Sequence, residues 1–161
     1  RGALLMEPEL DFGVNSLPFT VIESFNSFVE DFEFGAEKPD LKHLRRTGGL
    51  LVEEALETEL AIGDFLPDKD NLEHIDKMID GFADTAFVAF NGIYKTYRYL
   101  GANPEKATLL TILSLAKLAL ANESKRGPNG EVVKDVTGKV MKPEGFEPPS
   151  YIELIKIAME K

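Results

Sequence analysis

The chain contains no cysteine. A disulfide framework, a thiolate metal site and a cysteine nucleophile are therefore all excluded, and the redox compartment is left open. Histidine is almost as scarce: His43 and His74 are the only two, and neither supplies the Glu-x-x-His pair that a di-iron carboxylate bundle needs. Cations are in deficit, with 18 Lys and Arg against 28 Asp and Glu for a formal charge of −10. Affinity for duplex nucleic acid comes from clustered Lys and Arg, so no duplex is expected as a partner. No apolar run approaches a membrane span, and the opening "RGALLMEPELDFG" lacks the apolar core of a secretory signal. No membrane partner is expected, and the expected location is cytoplasmic.

What is present reads as one domain over residues 1–161, with an irregular start over 1–16. The fold class is all-α. "SLPFTVIESFNSFVEDF" has Ser16 as N-cap, Pro18 in the first turn and apolar residues at helical spacing. A second helix is predicted from Leu41 to Phe65, kinked or broken at Gly48 and Gly49. A third, capped by Asp70, runs to Leu100 and stops at Gly101; a fourth starts at Asn103 and Pro104. The fourth is apolar around most of its circumference, which calls for burial by other helices or by a second subunit. A Gly-, Pro- and Lys-rich stretch then reads as an ordered loop or short hairpin, and Ser150 with Glu153 forms a capping box for a last helix. Met78 and the helically spaced Phe residues are expected in the core.

The chemistry lies in "LLVEEALETELAIGDF", Leu50 to Phe65. At helical periodicity Glu53 and Glu57 stack one turn apart, Glu54 sits beside them, and Glu59 points elsewhere. Asp76, Asp80, Asp84 and Asn91 form a second stripe on the next helix. A solvated acidic helix usually interleaves Lys or Arg three or four residues from its acids, yet only Lys69 and Lys77 stand near these. Facing carboxylates repel one another unless a cation lies between them. An all-oxygen donor set suits Mg²⁺ or Mn²⁺ and suits Zn²⁺ poorly.

Glu53-Glu54-x-x-Glu57 followed by Asp84 in "DGFADTAFVAFNG" resembles the EExxE and ExxD signature of the all-α nucleoside triphosphate pyrophosphohydrolases, the MazG-like superfamily. "DGFADTAFV" and "ANESKRGPNGEVVKDVTGKVMKPEGFEPP" resemble its phosphoribosyl-ATP pyrophosphohydrolase-like branch common in phages. The resemblance spans about Val21 to Pro149. It departs at Gly81, where the pattern has Glu, and Asp80 is expected to substitute from one residue earlier.

The resemblance implies a MazG-like helical bundle that binds Mg²⁺ between its second and third helices. The implied reaction is hydrolysis of a nucleoside triphosphate, a canonical or modified dNTP, to the monophosphate and pyrophosphate, with a role in shaping or cleaning a nucleotide pool. Glu54, Glu57 and Asp84 are the expected ligands, Asp80 a further one, and Glu53 the residue that orients or deprotonates the attacking water. Asn91 is placed to bond a sugar hydroxyl or base. Asn122, Lys125, Lys139 and Lys142 match the late segment and would bring positive charge to the triphosphate. A homodimer or homotetramer is implied, in the host cytoplasm if the chain is phage-encoded. The alternative is a non-catalytic helical protein of the same fold that binds a nucleotide or partner without turnover.

Overall fold

The computed structural model describes residues 17–31, 38–127 and 129–160. The described residues form helices α1 (Leu17–Val29), α2 (Leu41–Phe65), α3 (Leu72–Leu100), α4 (Pro104–Glu123) and α5 (Ile152–Met159). Their only β pairing is an isolated bridge between Lys134 and Val140, so the fold is all-α. Ser16, expected as the cap of α1, lies outside the described residues.

Local chemistry sets the helix ends. Asp40 caps α2: its carboxylate accepts from the Lys42 and His43 backbone N–H groups, and His43 Nδ1 accepts from the Asp40 N–H. The break expected at Gly48 and Gly49 does not occur, and α2 runs through them as one helix. Two interior glycines cost a helix about 1 kcal/mol each, but the residue before them is tied down. Thr47 is buried, donates to the His43 carbonyl at 2.9 Å and accepts from Lys95 Nζ of α3 at 2.9 Å. The cap of α3 is Asn71, not Asp70. The turn after Phe65, held by Asp68 N–H on the Phe65 carbonyl and Asn71 N–H on the Asp68 carbonyl, leaves Asn71 extended, and its side chain accepts from Glu73 N–H. Gly101 ends α3 at φ 117°, a conformation that favours glycine, and Asn103 caps α4 by accepting from Lys106 N–H.

No side chain caps α5, so the Ser150–Glu153 box is absent. Tyr151 packs against the core and the helix starts after it at Ile152, while Glu153 pairs with Lys156 at 3.0 Å. Before α5 the chain folds into the expected short hairpin. Met141 N–H donates to the Val133 carbonyl and Asp135 N–H to the Lys139 carbonyl.

The core takes no residue from α2. Val29, Tyr94, Tyr97, Ala102, Ala107, Leu110, Leu154 and Ala158 are buried together where α1, α3, α4 and α5 meet. A polar lock closes it: Glu30 accepts from Tyr94 Oη at 2.6 Å and from both Nε and Nη2 of the buried Arg98. Contrary to expectation, no Phe whose burial is described joins this core, and neither does Met78. Phe25 and Phe87 are half-buried and meet edge-on at 5.0 Å, but Phe28 and Phe82 are exposed, and Met78 is half-buried.

α2 packs chiefly along α3, and its only buried residues are Thr47 and Thr58. Each faces a glycine. A Cβ on Gly92 would lie 3.5 Å from Thr47 Cγ2, and one on Gly81 would lie 2.9 Å from Thr58 Oγ1 and 3.1 Å from Thr58 Cα. The two pairs are eleven residues apart on each helix, 47 to 58 and 81 to 92, which fixes an antiparallel register three turns long. At Thr58 the backbones approach so closely that only glycine fits opposite. Gly81→Ala is therefore expected to lower stability by about 1–3 kcal/mol, since overpacking against backbone exceeds the gain in helix propensity. Gly49→Ala, with nothing within 4 Å of its Cβ, should raise stability by roughly 0.5–1 kcal/mol. Denaturant unfolding of both variants checks the opposite signs.

Candidate functional site

The close approach at Thr58 and Gly81 brings the two acidic stripes side by side. A cleft of about 290 Å³ lies along the pair, with Glu57, Leu60, Ala61 and Asp64 contributed by α2 and Lys77, Asp80, Gly81 and Asp84 by α3. Three of the residues expected to meet, Glu57, Asp80 and Asp84, therefore share one cavity. Glu54 is half-buried one turn before Thr58. Its carbonyl accepts from Thr58 Oγ1 at 2.7 Å, and that hydroxyl stands 3.1 Å from Thr85 Oγ1. Partial desolvation, and then the charges of Asp84, Glu57, Glu53 and Asp80, push the Glu54 carboxyl above the usual glutamate range. Acids of both helices thus act on one another across the interface. Glu53 is exposed and outside the cleft lining, within electrostatic reach of Glu54; Glu59 is exposed on a different face, as expected.

Asn91 is 3% exposed, and its Oδ1 has no hydrogen-bond partner among the described residues. Lys95, one turn on, is 2% exposed and donates to Thr47. The late segment forms a cluster of its own. Lys125 Nζ donates to Asn122 Oδ1 at 2.6 Å, and Lys125 and Lys142 lie 5.8 and 5.3 Å from the Phe146 ring centroid. Lys139 is held through its backbone N–H, which donates to Asp135 at 3.0 Å. None of these four lines the carboxylate cleft.

Sequence reasoning missed Asp64 and passed over Lys77 as a mere neighbour. The signal was present, for Asp64 follows Glu57 by seven residues and Lys77 precedes Asp84 by seven, two turns on the same face. The departure at Gly81 has a steric cause. A side chain at 81 would meet Thr58, so a glutamate has no room there and Asp80, at the rim, stands in the cleft instead.

The donor chemistry of the cleft fits a hard divalent cation: every candidate ligand is a carboxylate, and the charge on them is uncompensated enough to move Glu54. Among the described residues no three acidic or imidazole side chains converge tightly enough to enclose an ion, so the ligands stand apart along the cleft. The raised Glu54 sets a pH dependence. The folded chain holds this proton more tightly than the unfolded chain, so stability is lost as pH rises through the range between the ordinary glutamate pKa and the raised one. In chelator, Glu54→Gln should melt above the parent at neutral pH, and the difference should vanish once the pH falls below the ordinary glutamate range. Equal melting at both pH values would show that Glu54 is not held against other charges.

No helix among the described residues is long and apolar enough to cross a membrane. No protein-family model matches the chain and no curated protein matches it, so the reading of the site rests on its own residues.

Proposed function

We propose that the chain is a Mg²⁺-dependent nucleoside triphosphate pyrophosphohydrolase of the MazG-like kind, acting on a dNTP, with the α2–α3 cleft as its active site. The observation that carries the reading is that Glu57 and Asp64 of one helix and Asp80 and Asp84 of the other line one cleft, with Glu54 beside it raised in proton affinity first by partial desolvation and then by neighbouring acids of both helices. The motif series in the sequence supports it independently. Glu54, Glu57 and Asp84 would hold the cation, with Asp80 beside them. Bound Mg²⁺, for which Mn²⁺ can substitute, supplies neutralisation of phosphoryl oxygens and acidifies water toward neutral pH. Glu53, next to Glu54, receives the proton of the attacking water. That water adds at the α-phosphorus, the bond to the α–β bridging oxygen breaks, and pyrophosphate leaves. Asn91, further along α3 and buried, would lie toward the nucleoside end; Asn122, Lys125, Lys139 and Lys142, which the resemblance assigns to the triphosphate, stand outside the cleft lining, and of these only the three lysines would bring positive charge.

The competing reading is a non-catalytic helical protein that binds a nucleotide or partner. It draws on Gly81 and on the spread ligands. The amide variants separate the two. Glu57→Gln removes a charge and nearly keeps the shape, so pyrophosphate release from dNTPs with Mg²⁺ should fall by orders of magnitude while the metal-free fold melts no lower than the parent. Glu59→Gln, two residues away on another face, should leave the rate nearly unchanged, and excess chelator should abolish turnover of the parent. Unchanged release from Glu57→Gln, or full activity in chelator, would overturn the assignment.

The chain is further proposed to self-associate as a dimer or a dimer of dimers. Val52, Leu56, Leu60, Ile79 and Phe82 on the α2–α3 pair and Leu109, Leu113, Leu118 and Leu120 on α4 are all exposed, more apolar surface than isolated helices leave open to water. Light scattering at micromolar concentration should give a multiple of the chain mass; a monomer would contradict the association.

A further inference from the structure

The carboxylate cleft has a direction. Along α3 the side chains on its stripe run from Lys77 through Asp80 and Asp84 to Asn91, and on α2 Asp64 stands at the Lys77 end while Glu54 and Glu57 stand toward Asp84. Lys77 and Asp84 are seven residues apart, about 10 Å along the helix axis, and a helical lysine leans toward the N-terminus of its helix, which keeps the ammonium at the turn end of the cleft. Among the described residues Lys77 is the one cation lining the cleft, and it takes part in none of the ion pairs there. Its exposed ammonium stands beside acids without a locked partner.

We infer that Lys77 binds the β- and γ-phosphates of the substrate, so that the triphosphate lies with its terminal end toward the α2–α3 turn and its nucleoside toward Asn91. The inference rests on the pyrophosphohydrolase reading of the cleft. When the α–β bridging bond breaks, the electron pair stays with the departing oxygen and the pyrophosphate gains negative charge; an ammonium at that end favours the bond breaking. A carboxylate-only cleft holds phosphate through cations alone, so a side chain that donates directly to the leaving group distinguishes its two ends. The expected selectivity follows: the terminal end is read by charge, and the base only at the opposite end.

The test is calorimetric titration, with Mg²⁺ present, of inorganic pyrophosphate and of a deoxynucleoside monophosphate into the parent, Lys77→Met, Lys69→Met and Glu57→Gln. Lys69 lies in the α2–α3 turn, is exposed and does not line the cleft, so it carries the same charge change without the contact. Lys77→Met should lose roughly tenfold or more in pyrophosphate affinity, the effect of one charge-assisted hydrogen bond, while keeping monophosphate affinity; Lys69→Met should match the parent. If Lys77→Met binds pyrophosphate like the parent while Glu57→Gln loses it, the cleft binds phosphate but Lys77 does not, and the inference falls alone. If Glu57→Gln also binds like the parent, or the parent binds neither product, the active-site reading falls and the inference with it. Equal loss for Lys69→Met and Lys77→Met would also overturn it, since long-range charge would then explain both.

Discussion

The contact on which the rest of the site depends is the meeting of Thr58 with Gly81. Where a Cβ would stand 3.1 Å from a backbone Cα, the two helices lie closer than side chains ordinarily allow, and the residues flanking the contact are forced to share a cleft. Thr58 serves this twice, being small enough for the approach and satisfying its buried hydroxyl on the Glu54 carbonyl. The second small pair, Thr47 with Gly92, lies three turns away and keeps the antiparallel helices side by side over the intervening length. Since α2 is attached chiefly through α3, these contacts determine where its carboxylates stand.

The same molecule treats acids in two ways. Several acids away from the cleft are paired at short range: Glu30 with Arg98 and Tyr94, Glu123 with Arg126, Glu153 with Lys156, and Asp135 with the N–H groups of its own turn. Each such partner favours the ionised form. Beside the cleft Glu54 is partly desolvated and meets further acids instead, and its proton is held more tightly. Glu30 and Arg98 are the more enclosed, with side chains 15% and 8% exposed, yet they are compensated where the half-open cleft is not. Burial alone therefore does not separate the two settings; the charge of the neighbouring groups does.

Much of this was legible in the sequence. Gly101, Asn103 and the periodic apolar residues mark α3 and α4 because turn and cap chemistry is local. The spacing of Glu57, Asp80 and Asp84 placed them on facing arcs, and they share the cleft. What failed depended on a partner. Gly48 and Gly49 read as a kink or a break, and the helix is unbroken there, next to a contact of Thr47 with Lys95 of α3 that is invisible in a single helix. Asn71 displaced Asp70 and Tyr151 displaced Ser150 because a turn and a core contact, respectively, shifted each helix start by one residue or more. Gly81 read only as the place of a missing glutamate, and its packing against Thr58 could not be seen without the register of α2 against α3. Asp64 and Lys77 were recoverable from their seven-residue spacing alone.

The most direct test of the central claim is the location of a divalent cation in crystals grown with Mn²⁺, read from its anomalous scattering. The account predicts density between α2 and α3, bounded by Glu54, Glu57 and Asp84, with those side chains drawn together relative to their present spread. Mn²⁺ bound only elsewhere, with the cleft acids unmoved, would contradict it.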